Sequence, residues 1–187
     1  DKQNQLLFKV ILDYSISILL FPLFLIVFAV LAILIKLDSS GPIFYTQTRV
    51  TKNRRTFKFF KFRTMIDRAD QRIDLLDQVN EMNGPIRKSS KDPRITRFGR
   101  FLRKSSIDEL PQLINVLKGE MSLVGPRPPT PDEVKQYSLP QLRKLSMLQG
   151  ITGLWQVSGR DSITDFEERI KLDLKYIDQW SIWSDIR

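Results

Sequence analysis

The chain has 187 residues, with 30 Lys and Arg against 21 Asp and Glu, so its formal net charge of +9 favours anionic partners. It contains no Cys and no His, which excludes a disulfide, a thiol nucleophile, an imidazole base and a zinc site of the usual kind. Catalysis in such a chain has to use carboxylates, Lys, hydroxyl groups or a hard metal ion.

The first element is an apolar segment, residues 14–35, without a charged side chain. As a helix rising about 1.5 Å per residue it would reach roughly 30 Å, the thickness of a bilayer core, so hydropathy alone predicts a straight transmembrane helix. Pro22 favours another path, because its ring removes a backbone donor and predicts a kink near the middle. Two arms could then dip into one leaflet and return, with the basic residues at both ends on the cytoplasmic side. Asp13 is expected to pair with Lys9 or with the backbone of a bend.

A small β element is predicted after a turn at Gly41-Pro42. Residues 43–45 and 57–62 are short aromatic or β-branched runs that can pair as two strands. Residues 67–83 have the composition of a helix, and residues 84–93 that of a mobile loop that could close over a substrate.

Capping residues and apolar periodicity predict further helices. Thr96 can cap a helix in which three apolar side chains share a face and basic side chains project elsewhere, which suits a membrane surface. The next helix carries a leucine-rich stripe and ends near Gly119. Capping signals at 130–133 and 164–167 predict two more helices. The apolar positions are Phe98, Phe101 and Leu102, then Leu110, Leu113, Ile114 and Leu117, and finally Phe166, Ile170, Leu174 and Ile177.

Asp108 and Glu109 are adjacent carboxylates predicted at the start of the helix with the leucine-rich stripe, close to Pro111. Taken alone, such acids are usually stabilising caps. Cations at Arg103 and Arg127 change this interpretation, because carboxylates among cations are typical of a phosphate site. A carboxylate beside a diphosphate needs a counter-charge, so we expect Asp108 to attack while Glu109 holds Mg²⁺.

Two further segments could bind substrate. Lys61 and Arg63 lie in a Lys-Phe-Arg-Thr-Met run that fits a phosphate-binding element and a solvated strand equally well. Residues 150–160 surround a Trp with three glycines and include Gln156 and Arg160. This pattern fits a loop for a base or a phosphate, although similar turns often hold a buried Trp.

Taken in chain order, these segments resemble the bacterial sugar transferase family, the monotopic phosphoglycosyl transferases, over nearly the whole chain. Each motif is weak alone, but their shared order argues against a chance agreement. The motifs are Gly41-Pro42 with Phe44, Gln47 and Arg49; Lys61 to Met65; Asp92-Pro93-Arg94 with Arg97 and Gly99; Asp108 to Gln112 with Asn115 and Gly119; Ser122 to Pro128; and Gly150 to Arg160.

The resemblance implies an α+β fold that is mainly helical, with amphipathic interfacial helices and a small β element. Residues 1–38 would form a re-entrant membrane helix and its flank, broken at Pro22. Residues 39–187 would form a cytoplasmic catalytic domain on the face of the bacterial inner membrane. Phe21 stands where relatives often have Ser, so the break would depend on the proline and on packing.

The same resemblance implies the chemistry. Asp108 would form a covalent aspartyl phosphosugar from a UDP-hexose with release of UMP, and polyprenyl (undecaprenyl) phosphate would then accept the hexose 1-phosphate. This reaction initiates surface polysaccharide or glycoconjugate synthesis. Glu109 would help to bind Mg²⁺, and the substrate-binding residues would be Lys61, Arg63, Arg103, Arg127, Gln156 and Arg160.

Residues 152–160 and 180–181 resemble the longer members of the family, which carry extra N-terminal membrane helices and use UDP-glucose or UDP-galactose. The chain begins at Asp1, so it is expected to be a piece of a longer protein, and it could form a homo-oligomer. Thr51 and Arg54 stand where glycines are usual, which leaves the geometry of that turn open.

A different class of function is a non-catalytic membrane adaptor that binds anionic lipid or a protein partner. It would explain the charge and the apolar segment, but not an acid pair among cations. Nucleic acid is not an expected partner, because the apolar segment does not suit it and no reading motif is visible.

Overall fold

The computed structural model describes residues 2–82, 84–86, 89, 91–159 and 163–186. Residues Phe44–Val50 pair antiparallel with Thr56–Phe62, and Ser122–Val124 pair parallel with Gly150–Thr152, so the predicted α+β, mainly helical fold with a small β element is confirmed. The helices are α1 (Lys2–Asp38), α2 (Asp74–Asp77), α3 (Arg97–Lys104), α4 (Gln112–Leu117), α5 (Pro131–Lys135), α6 (Leu139–Leu142), α7 (Leu154–Val157), α8 (Phe166–Asp178) and α9 (Ile182–Ile186). The strands are β1 (Phe44–Val50), β2 (Thr56–Phe62), β3 (Ser122–Val124) and β4 (Gly150–Thr152).

The predicted β1–β2 hairpin is confirmed, with Phe44 opposite Phe62. Its turn contains Asn53 and Arg54 at φ of 58° and 59°, in the left-handed region. Arg54 thus adopts a conformation that glycine favours, at a cost of about 1–2 kcal/mol.

The two faces of the hairpin have different neighbours, because successive side chains of a strand point to opposite sides. On the core face, Phe44 and Phe62 stack on each other and on Phe28 of α1, with ring centroids 5.4 to 6.0 Å apart. Phe62 is only 1% exposed. The opposite face, called the cleft face below, carries Tyr45, Gln47, Arg49, Phe59 and Lys61.

Helix α1 is buried along one stripe and exposed elsewhere. By length and composition it could cross a membrane. Its exposed side carries large apolar side chains from Leu6 to Leu37. The buried positions are Lys9, Asp13, Ser17, Phe24, Leu31 and Ile35.

The start of α1 docks on β3. Lys9 Nζ donates to the carbonyl of Val124 at 2.9 Å. Asp13 accepts a hydrogen bond from Ser122 Oγ at 2.6 Å and from a backbone N–H of the same strand at 3.2 Å. The hydrogen bonds of Asp13 therefore go to β3, while Lys9, one of its predicted partners, interacts with it through its charge.

The end of α1 docks on the region after β2. Arg63 donates to the carbonyl of Ile35 at 3.3 Å and to Ser39, and Asp38 accepts from the amide of Phe98 at 3.3 Å. Between the two docked ends, α1 continues through Pro22 as one helix, and residues 18–23 include no buried side chain. The re-entrant bend at Pro22 stays a prediction.

The long helix predicted for residues 67–83 is wrong. The described part of this segment contains a 3₁₀ turn at Ala69–Arg72 and the four-residue α2, and Asn83 lies outside the described residues. Arg94 NH1 donates to the carbonyl of Ala69 at 3.1 Å. A tertiary contact thus takes a backbone acceptor that a continuing helix would use, and it overrides local propensity.

Helix starts follow the capping rules with one shift. Thr96 and Thr130 each accept a hydrogen bond from the amide three residues on, at 3.0 and 3.1 Å, as predicted. The cap of α8 is Asp165 and not the predicted Thr164, and it accepts from the amide of Glu168 at 3.1 Å. Asp and Thr are both favourable N-cap residues, so residue type alone could not show which of Thr164 and Asp165 caps the helix.

Candidate active site

A cleft of about 1410 Å³ opens above the cleft face of the hairpin. It gathers residues that lie more than ninety positions apart in the chain. Arg160, one of the predicted substrate-binding residues, lies outside the described residues. The other predicted catalytic and substrate-binding residues line the cleft: Lys61, Arg63, Arg103, Asp108, Glu109, Arg127 and Gln156.

The acid pair occupies a 3₁₀ turn, Ile107–Glu109, that is separate from α4. Ser106 enters this turn at φ of 57°, and α4 begins only at Gln112. Leu110 and Pro111, both with helical backbone angles, join this turn directly to α4, so the acids lie close to the start of the leucine-rich helix, as predicted, although not within it. Asp108 and Glu109 are 3% and 9% exposed, so most of their counter-charge has to come from side chains.

Lys61 supplies that counter-charge from β2. Its Nζ lies 2.7 Å from Glu109 Oε1 and 3.6 Å from Asp108 Oδ2, and 5.5 Å from the centre of the Phe59 ring. An ammonium group in this position offsets the repulsion between two adjacent carboxylates. The Lys-Phe-Arg-Thr-Met run is therefore more than a solvated strand, because its first residue contacts the acids directly.

Asn115 fixes the acid turn against the strand that carries Lys61. Its amide nitrogen donates to the carbonyl of Lys58 at 2.7 Å, and its amide oxygen accepts from the N–H of Phe60 at 3.2 Å. Asn115 thus offers β2 the donor and the acceptor that a neighbouring strand would offer. Asn115 is fully buried, so its hydrogen bonds fix the position of α4, and of the acid turn before it, along the direction of β2.

Helix α3 brings Arg103 to the cleft. Arg103 Nε donates to Thr64 Oγ1 at 2.9 Å. A Cβ atom on Gly99 would stand 2.1 Å from the carbonyl oxygen of Thr64, so only glycine allows α3 to lie this close to the segment after β2. The motif residues Arg97 and Gly99 therefore mark a helix whose position depends on backbone contact.

Asp92 and Arg94 form a buried ion pair at the edge of the cleft. The guanidinium of Arg94 donates to both oxygens of Asp92, at 2.9 and 2.8 Å. Burial alone would raise the pKa of Asp92, but these hydrogen bonds and the charge of Arg94 lower it. Since Arg94 also donates to Ala69, the pair anchors the segment that borders the cleft.

Arg63 has a different environment from the other predicted substrate-binding residues. It is 6% exposed, and its donors reach Ile35 and Ser39 at the end of α1. A Cβ atom on Gly41, which has φ of +118°, would stand 2.4 Å from Arg63 NH1, so the turn after α1 closes tightly over this side chain. These contacts favour a structural role, and a substrate contact by Arg63 stays a prediction.

Arg127 lies beside Arg49 and Glu133. Glu133 separates the two arginines, with Oε1 3.7 Å from Arg49 NH1 and Oε2 3.6 Å from Arg127 NH1. Arg49 NH1 also donates to the carbonyl of Pro128 at 2.9 Å, and its guanidinium lies 5.4 Å from the centre of the Phe59 ring. Burial, with the positive charge of Arg127, lowers the pKa of Arg49 to about 10, so it stays protonated at neutral pH.

The Gly-Pro-Arg-Pro turn that carries Arg127 packs against β4. The amide of Gly125 donates to the carbonyl of Thr152, and the amide of Gly150 to that of Pro126, both at 2.9 Å. A Cβ atom on Gly150 would stand 2.1 Å from the Gly125 nitrogen, so a side chain there would push the turn away. The glycines near the Trp therefore serve to hold Arg127 at the cleft.

Gln156 and Trp155 on α7 line the same side of the cleft. Gln156 Nε2 donates to the carbonyl of Ile151 at 3.1 Å, while its buried Oε1 has no hydrogen-bond partner among the described residues. Trp155 is buried, with the Arg169 guanidinium 4.6 Å from its ring. A substrate donor could satisfy the Gln156 oxygen, and the substrate-binding role of Gln156 stays a prediction.

Arg49 and Glu133 are the site residues that the sequence interpretation missed. Arg49 carried no role beyond membership of a motif, and Glu133 was interpreted as part of a helix cap. The two-residue periodicity of strands could have found Arg49, because Gln47 and Arg49 share a face with the strand partner of Lys61. No sequence signal pairs Glu133 with Arg49, because their contact is tertiary.

The chain is similar in sequence to several known proteins. The bacterial sugar transferase family profile matches residues 4–187. The galactosyl transferase CpsE of Streptococcus agalactiae serotype III is 57% identical over 148 residues, 79% of this chain and 33% of that protein. The exopolysaccharide production protein ExoY of Rhizobium meliloti is 40% identical over 181 residues, 94% of this chain and 78% of that protein. The undecaprenyl-phosphate galactose phosphotransferase of Salmonella typhimurium is 43% identical over 155 residues, 78% of this chain and 31% of that protein.

The chain thus spans about a third of the length of the CpsE and Salmonella proteins, and most of ExoY. The profile match covers nearly all of the chain, and it includes the acid turn, the Lys61 strand and the Gly-Pro-Arg-Pro turn. The chain therefore belongs to the bacterial sugar transferase family.

Proposed function

We propose that this chain transfers a hexose 1-phosphate from a UDP-sugar to polyprenyl phosphate, undecaprenyl phosphate in bacteria, and so initiates surface polysaccharide or glycoconjugate synthesis. The observation that carries the proposal is the buried Asp108–Glu109 pair facing Lys61 in a cleft that also holds arginines. Relatives named as undecaprenyl-phosphate galactose and glucose phosphotransferases support this substrate class.

In the first step, a carboxylate oxygen of Asp108 attacks the phosphorus that carries the sugar. A P–O bond to Asp108 forms while the bond from that phosphorus to the bridging oxygen breaks, so UMP leaves with the bridging oxygen and its electron pair. No proton has to move, because the nucleophile is a carboxylate and the leaving group is a phosphate.

In the second step, a phosphate oxygen of polyprenyl phosphate attacks the same phosphorus. The bond to Asp108 breaks, the carboxylate is restored, and the product is a polyprenyl diphosphate sugar. The reaction is ping-pong, because UMP leaves before the lipid acceptor reacts.

The cations of the cleft have distinct positions for this chemistry. Lys61, 2.7 Å from Glu109, can neutralise phosphate charge next to the nucleophile. Arg103 approaches from α3 and Arg127 from the Gly-Pro-Arg-Pro turn, so a diphosphate in the cleft would meet positive charge from separate elements.

Mg²⁺ is the expected cofactor, with Glu109 as its protein ligand. Among the described residues there is no group of three or more His, Cys, Asp or Glu side chains that could hold a metal by itself. Mg²⁺ usually keeps several waters and binds through one or two carboxylates plus substrate phosphates, so Glu109 beside Asp108 fits this mode. When bound, the ion would neutralise part of the diphosphate charge.

We also propose that α1 is re-entrant and that the chain lies on the cytoplasmic face of the inner membrane. The body docks on α1 at Asp13 and again at Ile35, positions about 33 Å apart along a straight helix. This separation matches the roughly 30 Å thickness of a bilayer core, so in a straight crossing the body that contacts both positions would have to lie beside the helix within the hydrocarbon. A bend near Pro22 would keep both ends on one side.

This topology has a direct test, because the chain contains no native Cys. Single cysteines at the exposed positions Gln3 and Ser40 should both react with a membrane-impermeant maleimide added from the cytoplasmic side of oriented vesicles. Reaction of the two from opposite sides would show that α1 crosses the bilayer.

The catalytic proposal is tested with purified protein, individual UDP-sugars, Mg²⁺ and polyprenyl phosphate. Asp108→Asn should abolish UMP release while the protein stays folded. Asp132→Asn, a matched control at an exposed carboxylate on α5, should retain it. Undiminished UMP release by Asp108→Asn would refute the nucleophile. Membrane binding without turnover of any UDP-sugar by the unmodified protein would favour the adaptor.

A further inference from the structure

Arg49, Arg127 and Glu133 form a charge cluster in the cleft, called the arginine clamp here. The side chains of Arg49 and Glu133 are 11% and 8% exposed, while that of Arg127 is 28% exposed. Two guanidinium groups and one carboxylate leave one positive charge in excess. The clamp is thus a mostly buried site that favours an anion.

Arg49 is the fixed member of the clamp. It donates to the carbonyl of Pro128 at 2.9 Å and lies over the Phe59 ring, and the amide of the next residue, Val50, donates to the carbonyl of Pro129 at 2.9 Å. β1 is thereby joined to both prolines that follow Arg127. Arg127 is the more exposed arginine, so it is the one that can shift.

Glu133 is held from its own helix. It is the third residue of α5, and its amide donates to the Thr130 cap at 3.1 Å. Its two oxygens face different arginines at 3.7 and 3.6 Å, which is longer than a direct hydrogen bond. Arg127 is therefore attracted to Glu133 without donating to it. Its NH1 is buried and has no hydrogen-bond partner among the described residues, while the side chain as a whole is 28% exposed and lines the cleft, where a ligand can reach it.

The cleft face of the hairpin connects the clamp to the acid pair. The ring of Phe59 lies 5.4 Å from the Arg49 guanidinium and 5.5 Å from Lys61 Nζ, and Lys61 contacts both acids. A side chain that fixes Arg127 relative to Arg49 therefore also fixes it relative to Asp108.

We propose that Glu133 is a positioning residue, which holds Arg127 between itself and Arg49 so that Arg127 meets a phosphate of the substrate at a set distance from the nucleophile. The inference deepens the proposed function and rests on it, because it takes the substrate to be a nucleotide diphosphate. Without the carboxylate, two adjacent guanidinium groups would repel and the more exposed Arg127 would move away.

A simpler interpretation of Glu133 makes the opposite prediction. If the carboxylate only reduced the positive potential of the clamp, its removal would strengthen the binding of an anion. Positioning predicts weaker binding after the same change. Whether removal of the Glu133 charge weakens or strengthens anion binding therefore distinguishes the two interpretations.

The test measures the affinity for UDP by titration calorimetry in an Asp108→Asn background, which cannot form the covalent adduct. Glu133→Gln should weaken UDP binding by about tenfold or more. The matched control is Asp132→Asn, which makes the same charge change one residue away on an 82% exposed side chain and should leave affinity within about twofold. Unchanged or tighter binding by Glu133→Gln would overturn the proposal.

A double-variant cycle shows whether Glu133 acts through Arg127. Glu133→Gln combined with Arg127→Gln should bind UDP no more weakly than Arg127→Gln alone, whereas independent, additive losses would contradict positioning. Should Glu133→Gln fail to fold, Glu133→Asp keeps the charge and should bind between the parent and Arg127→Gln. A loss by Glu133→Asp as large as that of Arg127→Gln would count against the idea.

This test does not depend on turnover, so its outcome is distinct from that of the proposed function. Absence of UMP release by the unmodified protein would refute the transferase. The UDP cycle would still report whether Glu133 holds Arg127.

Discussion

Adjacent residues on the β1–β2 hairpin differ in burial and in contacts, because one lies on the core face and the next on the cleft face. Phe62 is 1% exposed and stacks on Phe28 of α1, whereas Lys61, one residue earlier, contacts Glu109 at 2.7 Å. Phe44 and Tyr45 differ in the same way on the partner strand, where Phe44 joins the core stack and Tyr45 lines the cleft. At this end of the hairpin, one face packs on α1 and the other presents Lys61 to the acids, while farther along the cleft face Phe57 and Phe59 pack against Val116 and Met121.

This difference shows that hydrophobic packing on the core face determines which side chains the cleft face presents to the acid pair. A strand that slips by one residue moves every side chain to the opposite face, so the aromatic stack on α1 selects the register that points Lys61 at the acid pair. Asn115 reinforces this register from the free edge of β2.

The largest expected effect comes from breaking the core face. Phe62→Ala should lower the free energy of unfolding by about 3–5 kcal/mol, because it removes a fully buried ring from the stack with Phe28 and Phe44. Thermal or denaturant unfolding in detergent measures the change. A loss below about 1 kcal/mol would show that α1 and the hairpin do not depend on this contact.

An intermediate effect is expected on the cleft face. Lys61→Met keeps the length of the side chain but removes its charge, so UMP release should fall about 10²- to 10³-fold. The Lys61 side chain is 25% exposed but its two carboxylate partners are buried, so the free energy of unfolding should fall by about 1–3 kcal/mol, less than for Phe62→Ala. Wild-type turnover by Lys61→Met would show that Lys61 does not take part in catalysis. A loss of stability as large as that of Phe62→Ala would show that the two faces do not differ in their contribution to stability.

The smallest effect is expected in the turn that joins the strands. Arg54→Gly should raise the free energy of unfolding by about 1 kcal/mol, because glycine adopts φ of 59° without strain. UMP release should not change, since the turn belongs to neither face. Equilibrium unfolding checks the gain, and a loss of stability would mean that the Arg54 side chain contributes more than its backbone costs.

Much of the site could be predicted from the sequence, because it depends on local patterns. The aromatic runs predicted the hairpin, Thr96 and Thr130 predicted helix starts, and the acid pair with its cationic motifs identified residues that the structure brings into one cleft. These signals lie within a few residues of one another, which is the range that propensity and periodicity report.

The remaining features depend on contacts between distant parts of the chain. The left-handed Ser106 separates the acid turn from α3, and Arg94 bonds the carbonyl of Ala69, which a continuing helix would have used. The contact of Glu133 with Arg49 joins residues 84 positions apart. A single sequence carries no signal for such pairs.

The central claim is that the Asp108 carboxylate bonds to phosphorus. The most direct test is to incubate the detergent-solubilised protein with a UDP-sugar and Mg²⁺ without acceptor, and to analyse its peptides by mass spectrometry. We expect a hexose-phosphate adduct on Asp108 that disappears when polyprenyl phosphate is added. UMP release in the absence of any adduct, or an adduct on another residue, would contradict the claim.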